Sequence, residues 1–339
     1  MKKILFIQTA FIGDAILSLP AIQKLKEKYS DCEINVLCIP QSKEIFDASP
    51  YVSKTIVLDK KKNHKSLFAS FKLGRELKKD NYTSIYSSHR SFRTALIVFL
   101  TGVKDTFGFN NSSLKYLYKN LVEYKPQEHE IQRNLDLIGF NYQADDWQII
   151  PEISVDKIIQ EKISAFINGK NIKNNFIAIA PGSVWETKKY PKEYFEIIID
   201  HFLNKGLQIL LIGGEKDKYL CNFIVEKFSQ NVFDASGLFS IIESIELLKH
   251  SIILLSNDSA PTHFGMCAEI KVLTLYCSTV PGFGFFPYNK KSRYLSFNDL
   301  DCKPCGIHGH HKCPINTFDC GKKLLPAVVI STMEEMIND

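Results

Sequence analysis

Two series of short apolar segments, each followed by a segment of helical length, run along the sequence. The first series begins with an apolar run at residues 4–7, a helical stretch at 14–29 and an apolar run at 34–39. The second begins with an apolar run at residues 176–180 and a helical stretch at 191–204. Strands that alternate with helices form parallel sheets with helices on both faces. The sequence therefore predicts an α/β fold built from two Rossmann-like domains.

The alternation continues through both halves and sets the expected domain bounds. In the first half we expect strands at 55–58 and 83–87 and helices at 66–79 and 91–100. In the second half we expect strands before Gly213 and at 252–255 and 272–276, and helices at 216–228, 240–249 and 259–268. A polar segment around residues 143–173 separates the halves. The predicted domains are residues 1–160 and 161–325, with a last helix in 326–339 that could pack on either domain.

The composition excludes several classes of protein. Of the 339 residues, 45% are hydrophobic and 23% are charged, which is typical of a soluble globular protein. The net charge of +5 is far below that of a dedicated nucleic-acid binder, so no nucleic-acid partner is expected. This mild excess of positive charge is compatible with a partner that is an anionic small molecule or an acidic surface.

The apolar runs are too short to cross a membrane. The longest lipid-like run, residues 95–100, is far below the length of a bilayer span, and Gln8, Thr9 and Asp14 interrupt the apolar start before it reaches signal-peptide length. We expect a cytoplasmic protein that at most rests on the surface of the inner membrane. Its nine cysteines should then be mostly reduced thiols.

One acid stands in the apolar stretch "FIQTAFIGDAILSLPAI" at residues 6–22. An unpaired buried carboxylate costs several kcal/mol, so chance is a poor explanation for Asp14. Either Asp14 caps the helix that starts there, or it faces a cleft and takes part in chemistry; one acid can also do both.

Three strand-end loops of the second half carry groups that bind phosphate. The first, "APGSVWETKKYP", offers the hydroxyls of Ser183 and Thr187 and the charges of Lys188 and Lys189. The second, "LIGGEKD", has two glycines, and Glu215 is placed to accept hydrogen bonds from ribose hydroxyls. Taken alone, the first loop could be an ordinary strand-to-helix connection, and the second a glycine-rich turn with a solvated acid.

The third loop, "LLSNDSAPTHFGMC", precedes a predicted helix. Asn257 or Asp258 is expected to cap that helix, and the free amides of its first turn attract a phosphate. His263, one turn further, either contacts the ligand or fills a core position. Because the carboxyl ends of parallel strands share one sheet edge, the three loops together suit a nucleoside diphosphate in a cleft between the domains.

The ordered motifs resemble one enzyme family. "GDAILSLPAI", "PGSVWETKKYP", "GGEKD" and "SNDSAPTH" look like the bacterial ADP-heptose:lipopolysaccharide heptosyltransferases, and the likeness runs over nearly the whole chain. "HRSFRTALIVFLTGVKDTFGF" and the tail "CKPCGIHGHHKCPINTFDC" also resemble segments of that family. The resemblance implies a GT-B fold with two Rossmann-like domains whose parallel sheets face each other across a cleft. It implies an acceptor on the first domain and a sugar nucleotide, ADP-heptose, mainly on the second.

The resemblance also implies roles for single residues. Asp14 matches the catalytic base, Lys188 the lysine on the leaving phosphate, and Ser183 a phosphate-binding hydroxyl. Glu215 would lie near the ribose. The loop around the diphosphate and sugar would consist of Asp258, Ser259, Ala260 and His263. Ala260 stands where the family has Gly, and Tyr190 where it has Trp, so the donor preference is the part that these departures affect most.

The first half holds the candidates for acceptor binding. Gly13 lets an acceptor approach the backbone beside Asp14. His89, Arg90 and Arg93 follow a predicted strand, and arginine suits bidentate contacts with carboxylates and phosphates. The alternative is an exposed helix start. "KKKNHK" at residues 60–65 is most simply a solvated loop, unless it borders the cleft.

The implied reaction is a direct displacement at the anomeric carbon with inversion, which transfers heptose to the lipopolysaccharide inner core or another lipid-linked acceptor. A carboxylate within hydrogen-bond reach can take the proton of the acceptor hydroxyl as the new bond forms. Lys188, hydroxyls and helix amides would meet the leaving-group charge. Neither a metal ion nor a cofactor is expected.

Other functions stay open on the sequence alone. The enzyme could use a different sugar donor and a surface-glycan acceptor, or be a nucleotide-sugar epimerase, which would form product without an acceptor. A zinc-dependent nucleic-acid-binding module is suggested by the Cys302-x-x-Cys305 pair and the mild basicity. The four thiols Cys302, Cys305, Cys313 and Cys320 could make a structural zinc site. The second pair is separated by six residues rather than two, so the zinc-ribbon spacing is half met. Any zinc there is expected to be structural and remote from Asp14 and Lys188.

Overall fold

The computed structural model describes residues 2–64 and 66–339. The chain divides into two compact units, one ending at Ser154 and one beginning at Val155. The expected boundary at residue 160 falls inside a helix of the second unit, α6 (Lys157–Gly169). The segment at residues 143–173, which we expected to be a polar connection, therefore contains the first helix of the second unit.

The N-terminal unit is a parallel sheet covered by helices. Its six strands, in the spatial order β3-β2-β1-β4-β5-β6, are β1 (Lys3–Gln8), β2 (Glu33–Cys38), β3 (Lys54–Val57), β4 (Ser84–Ser87), β5 (Asp105–Phe109) and β6 (Asn120–Val122). Its helices are α1 (Ile12–Lys28), α2 (Lys43–Asp47), α3 (Leu67–Lys78), α4 (Phe92–Thr101) and α5 (Glu130–Leu137). Residues 4–7 of β1 are fully buried, as a central parallel strand requires.

The C-terminal unit repeats this plan. Its strands, in the order β12-β11-β10-β7-β8-β9, are β7 (Phe176–Ala180), β8 (Ile209–Leu211), β9 (Val232–Asp234), β10 (Ser251–Asn257), β11 (Lys271–Tyr276) and β12 (Arg293–Ser296). Its helices after α6 are α7 (Lys192–Asn204), α8 (Lys218–Val225), α9 (Ile241–Leu248), α10 (Ala260–Cys267), α11 (Asp319–Lys322) and α12 (Pro326–Asn338).

The position of the last helix, which the sequence left open, is on the second unit. Helix α12 packs against α7 and β10. The buried Tyr190 fastens the chain just before it by donating a hydrogen bond of 2.6 Å from its hydroxyl to the carbonyl of Leu324. Val329, Met333 and Met336 complete the core on that side of the sheet.

The strand order places the candidate site loops together within each unit. The order reverses between β1 and β4 in the first sheet and between β7 and β10 in the second. Loops leaving the carboxyl ends of strands at such a reversal diverge to opposite faces and leave a crevice for a ligand. Asp14 follows β1, and the loops with Ser183 and Asp258 follow β7 and β10.

The strongly periodic elements lie within a few residues of their predicted bounds. Strands β5, β6, β9 and β12 and helices α2, α5, α6 and α11 were not predicted. Within the described part of the chain, no helix combines the length and the apolar character that crossing a membrane requires.

Candidate active site

Asp14 lies in the first turn of α1, directly beyond the end of β1. It retains partial access to solvent. The backbone amides of Phe11 and Asp14 donate hydrogen bonds to its carboxylate and act to lower the pKa. An acid at this position satisfies amides that the helix leaves unpaired. Asp14 therefore does support the start of the helix, while its carboxylate stays at the sheet edge.

The surroundings of Asp14 make it an unusually weak acid. Burial raises its pKa, and the neighbouring carboxylate of Glu130 raises it further, so that the pKa rises from 3.8 to about 7. The Arg90 guanidinium acts in the opposite direction with a smaller effect. A pKa near the working pH is what a general base needs, because the group is then available as a carboxylate yet holds a proton firmly.

Helix α5 supplies the second carboxylate. Glu130 is buried and pairs with Arg133 at 2.8 Å, and burial raises the pKa of Glu130 as well. The guanidinium of Arg133 also donates to the carbonyls of Lys125 and Pro126, at 3.0 and 2.7 Å. Asn134 donates at 3.3 Å to the carbonyl of Leu17 and so fastens α5 to α1.

This helix is the part of the site that sequence reasoning missed. The signal that could have found it is the segment "HEIQRNLDLI", where His129 and Gln132 form a reciprocal capping box. Ile131 and Leu135 are four residues apart and fully buried, as one face of a helix requires.

A polar cluster surrounds the loop after β1. Lys60 donates from Nζ to the carbonyl and the hydroxyl of Thr9, at 3.0 and 3.1 Å. His89 Nδ1 lies 2.9 Å from the Thr9 hydroxyl and 2.7 Å from the Thr94 hydroxyl. Burial lowers the pKa of His89 to about 4, with Lys60 and Arg90 contributing. His89 is therefore a neutral hydrogen-bonding residue that organises this loop.

The basic candidates of the first half gather near this cluster. Arg90 is exposed, and its guanidinium lies 3.9 Å from the centre of the Tyr124 ring. Arg93 donates from Nη1 to the carbonyl of His64 at 2.6 Å. The prediction of a solvated loop at residues 60–65 is wrong for Lys60, which is partly buried against Thr9. Lys65 lies outside the described residues.

In the second unit Lys188 and Asp258 form an ion pair. Lys188 Nζ lies 2.6 Å from Oδ2 of Asp258, and both side chains are largely buried. The hydroxyl of Thr279 donates to the same carboxylate oxygen at 2.6 Å. Asp258 therefore holds the lysine in place, and a carboxylate in this position repels a phosphate while the lysine attracts it.

Asn257 does not cap the helix that follows β10. It donates to the carbonyl of Pro181 at 2.8 Å and accepts from the amide of Tyr190 at 3.0 Å, which ties the first loop to the third. The cap position of α10 is Ser259, whose side chain makes no capping bond. The prediction that Asn257 or Asp258 caps α10 is therefore wrong, because both side chains are used to fasten the neighbouring loop. Ala260 is the first residue of the helix.

Thr187 connects the first loop to the cysteine-containing tail. Its hydroxyl accepts from the His310 amide at 2.8 Å, and its own amide donates to the His310 carbonyl at 3.1 Å. A Cβ at Gly309 would lie 3.0 Å from the Thr187 hydroxyl and 3.4 Å from Cγ of Lys188, so this part of the tail lies directly against the first loop. Residues 309–310 of the tail therefore lie beside Lys188. That any zinc at the four cysteines would be structural and remote from Asp14 and Lys188 stays a prediction.

The remaining donor candidates differ in exposure. Glu215 is exposed and pairs with Lys218 at 2.7 Å, and Ser183 is partly exposed. Asp217, which sequence reasoning did not single out, accepts from the Gly214 amide at 2.9 Å. A Cβ at Gly182 would overlap the carboxylate of Asp217. The glycine is thus required by packing between the first and second loops.

His263 is buried one turn into α10. Burial lowers its pKa to about 4 against the opposing effect of Asp258, so the ring is neutral. Its Nδ1 is buried and has no hydrogen-bond partner within the part of the chain that the structure describes. A neutral imidazole can donate or accept a hydrogen bond, depending on which nitrogen carries the proton.

All nine cysteines are free thiols. The amide of Cys305 donates to the carbonyl of Ser278 at 2.9 Å, which holds the tail against the loop after β11. Among residues 2–64 and 66–339, no group of three or more His, Cys, Asp or Glu side chains has the geometry to hold a metal ion.

Comparison with known proteins identifies the family. The family model described as glycosyltransferase family 9 (heptosyltransferase) matches residues 70–312. The chain belongs to this glycosyltransferase family. It is 25% identical to lipopolysaccharide heptosyltransferase 1 of Campylobacter coli, over 82% of this chain and 84% of that protein.

Solved structures show the same fold. A family 9 glycosyltransferase from Veillonella parvula superposes with a TM-score of 0.85 at 19% identity, covering 99% of this chain and 97% of that one. The ADP-heptose lipopolysaccharide heptosyltransferase II of Escherichia coli superposes with a TM-score of 0.81 at 18% identity, covering 99% and 98%. The protein is therefore a glycosyltransferase of the GT-B type, with two parallel sheets flanked by helices.

Proposed function

We propose that this glycosyltransferase moves a heptose from ADP-heptose to the inner core of lipopolysaccharide, with inversion at the anomeric carbon. The proposal rests on the heptosyltransferase family to which the chain belongs and on the position of Asp14, an acid in the first turn after β1 whose pKa rises to about 7. A carboxylate without a catalytic role does not need a pKa near the working pH. A general base does need one, because it must take a proton from a sugar hydroxyl.

The proposed step begins at the acceptor hydroxyl. The ionised Asp14 takes the hydroxyl proton while the oxygen forms a bond to the anomeric carbon of the donor. The bond from that carbon to the phosphate oxygen breaks on the opposite side, and the nucleoside diphosphate leaves with the electron pair. Asp14 keeps the proton until solvent removes it.

Lys188 has a direct role in the proposed departure of the diphosphate. The ion pair with Asp258 at 2.6 Å holds the Lys188 amine in a fixed position and balances its charge. A phosphate that replaces Asp258 as its partner gains a charge-assisted hydrogen bond without ordering a flexible side chain. The partly exposed Ser183 hydroxyl and the first turn of α10, with Ser259 and Ala260, would complete the phosphate site.

The other donor residues have supporting roles in this proposal. Glu215 is exposed and would accept hydrogen bonds from ribose hydroxyls. His263, neutral and buried with an unpartnered Nδ1, would offer a hydrogen bond to the donor. Thr187 acts indirectly, since its hydroxyl binds the tail and thereby sets the position of Lys188.

The acceptor is proposed to bind through its negative charges. Arg90 is exposed and close enough to Asp14 to lower its pKa, and Arg93 and Lys60 lie around the same loop. Guanidinium groups bind carboxylates and phosphates in a bidentate manner, which suits an acidic inner-core sugar. His89 would orient Thr9 and the start of α4, and Gly13 would leave space beside Asp14. This chemistry takes place in the cytoplasm, on an acceptor anchored in the inner membrane.

A donor panel tests the proposal. The purified enzyme is mixed with ADP-heptose, ADP-glucose, GDP-mannose or UDP-N-acetylglucosamine, with and without a heptose-free lipid A core acceptor. Binding is measured by calorimetry and turnover by release of nucleoside diphosphate. We expect acceptor-dependent release of ADP from ADP-heptose at the highest kcat/KM, with a product of inverted anomeric configuration. Conversion of a nucleotide sugar without acceptor would identify an epimerase and overturn the proposal.

A further inference from the structure

Helices α3 and α4 pack closely on the same side of the N-terminal sheet. A Cβ at Gly74 of α3 would lie 2.7 Å from Cβ of Leu100 of α4, so only glycine allows this approach. Leu73 and Leu77 of α3 and Ile97 and Val98 of α4 face the core between the helices and the sheet. The exposed residues of the two helices lie on their other faces, away from this core.

This outer surface carries more exposed apolar side chains than a solvated face requires. Phe68 of α3 is 77% exposed and Phe99 of α4 is 58% exposed. Leu67 and Phe92, at the two helix starts, are about half exposed, and Phe71 and Leu96 are partly exposed. We call these six residues the α3/α4 outer face. Several exposed apolar side chains on two helices that pack together indicate an interaction surface.

Basic side chains border the aromatic ones on α3. Lys72, Arg75 and Lys79 are exposed and follow Phe68 and Phe71 at helical spacing. The guanidinium of Arg75 lies 5.1 Å from the centre of the Phe71 ring. The loop before the helix adds two further exposed lysines at positions 61 and 62. One acid, Glu76, stands on the same stripe, 4.0 Å from Lys72.

The combination of charges and aromatic groups indicates which partner fits. A second copy of the same surface would bring like charges together. An anionic lipid surface attracts each lysine or arginine near it and accepts aromatic rings at the level of its head groups. Amphipathic helices that lie on membranes present this arrangement, with apolar side chains on one side and basic residues beside them.

We propose that the α3/α4 outer face docks the enzyme on an anionic phospholipid bilayer. The starts of α3 and α4 follow the carboxyl ends of β3 and β4, which is the sheet edge where Asp14 and Arg90 lie. Docking through this face therefore holds the acceptor-binding edge beside the membrane. The benefit for acceptor binding rests on the proposed function, in which the acceptor is anchored in lipid. The docking of the face on the bilayer does not depend on that function.

Vesicle co-sedimentation of the full chain tests the docking. The probes are vesicles of phosphatidylethanolamine and phosphatidylglycerol, compared with neutral phosphatidylcholine vesicles. We expect K72Q/R75Q to lower the binding constant for anionic vesicles about 25-fold, since each basic residue near such a surface contributes about fivefold. F68S/F99S should lower it at least about tenfold, from the loss of two buried rings.

A matched control comes from the second unit. Lys157 and Ile158 of α6 are also a basic and an apolar side chain, and both are strongly exposed. K157Q/I158S should bind anionic vesicles as the wild type does. Equal vesicle binding by the wild type, K72Q/R75Q and F68S/F99S overturns the proposal. So does a wild-type dimer in sedimentation that F68S/F99S converts to monomer without changing vesicle binding.

Activity measurements separate this proposal from the function itself. With an acyl-free, water-soluble acceptor, F68S/F99S should turn over at the wild-type rate. With the same acceptor core in anionic vesicles it should be at least about tenfold slower. Loss of transfer to both acceptors would overturn a docking role for the face. A wild type that binds vesicles but transfers to neither acceptor would refute the proposed function and leave the docking standing.

Discussion

In both units, charged side chains lie beyond the carboxyl ends of parallel strands, but their surroundings differ between the two units. In the second unit, Lys188 is paired with Asp258, and Thr279 donates to that carboxylate. In the first unit, burial and a second carboxylate, Glu130, raise the pKa of Asp14. One site is a balanced ion pair, and the other is a carboxylate kept in an unfavourable environment.

This difference fits the role that we propose for each group. A cation that meets a departing diphosphate works best when it is already positioned, so that little reorganisation is needed as charge develops. A base works best when its proton affinity is raised, and the site reaches this by an arrangement that costs stability. The comparison therefore predicts that variants of the first site change rate and pH dependence, whereas variants of the second change donor affinity.

The largest expected effect comes from removing the base. Asp14→Asn should keep the fold and the affinity for ADP-heptose, because the amide oxygen can still accept from the helix amides. It should lower kcat about a hundredfold to ten-thousandfold, the usual contribution of a general base. Asp31→Asn, an exposed acid near the other end of α1, is the control and should be fully active. A near wild-type rate for Asp14→Asn would remove Asp14 from the mechanism.

The next effect concerns the balanced ion pair. Lys188→Ala should weaken ADP-heptose binding about 10-fold to 100-fold, because a hydrogen bond to a charged group is lost. Lys189→Ala is the matched control, since Lys189 pairs with the exposed Glu186 instead. Calorimetric titration of both variants makes the comparison. Equal losses of affinity would mean that the positive charge acts only diffusely.

A smaller effect should follow from changing the second carboxylate. Glu130→Gln removes a negative charge beside Asp14, so the pKa of Asp14 should fall. The acidic limb of the kcat/KM profile should then move to lower pH, with less than about a tenfold change in kcat at pH 8. Glu128→Gln, just before α5, should leave the limb in place. An unchanged limb in Glu130→Gln would show that burial alone sets the pKa.

The unfavourable environment of Asp14 should be visible in stability. The folded protein holds the Asp14 proton up to about pH 7, whereas the unfolded chain releases it near pH 3.8. This group therefore costs stability progressively as pH rises from about 4 to 7, and the full cost remains above pH 7. Asp14→Asn should melt about 2–4 °C above the wild type at pH 8. The difference should vanish near pH 4, and a variant that is less stable at pH 8 would contradict the comparison.

The smallest expected effect is that of chelation. Turnover should be unchanged after prolonged dialysis against EDTA, because in the proposed mechanism Lys188 and the loop amides, rather than a divalent cation, stabilise the leaving diphosphate. Thermal unfolding of the same sample reports whether the cysteine-containing tail has lost a structural ion. Loss of turnover in a folded enzyme, restored by a divalent cation, would show that the leaving group needs a metal.

The sequence predicted those parts of the fold and site that depend on local pattern. The apolar runs that became β1, β7 and β10 and the helix at α1 are strongly periodic, and Asp14 stands out because its neighbours are apolar. Turn positions after such strands could then be assigned to one sheet edge. The residues themselves marked Lys188 and the loop around Asp258 as candidates for phosphate binding, and the resemblance added their individual roles.

The contacts that tune the site could not be predicted, because they join residues far apart in the chain. Glu130 reaches Asp14 from a helix of eight residues with several charged positions, which gives little apolar signal. Thr187 and His310 are 123 residues apart, and the hydroxyl and amide of Thr187 bind backbone atoms of His310 that any residue would offer. Lys60 looked solvated because it opens a run of lysines, yet its amine lies against Thr9.

Titration of the Asp14 carboxyl carbon by ¹³C NMR tests the central claim most directly. The resonance is assigned by its absence from the spectrum of Asp14→Asn. The account predicts a midpoint near pH 7, from burial and the neighbouring Glu130. A midpoint close to 3.8, the ordinary value for aspartate, would contradict it.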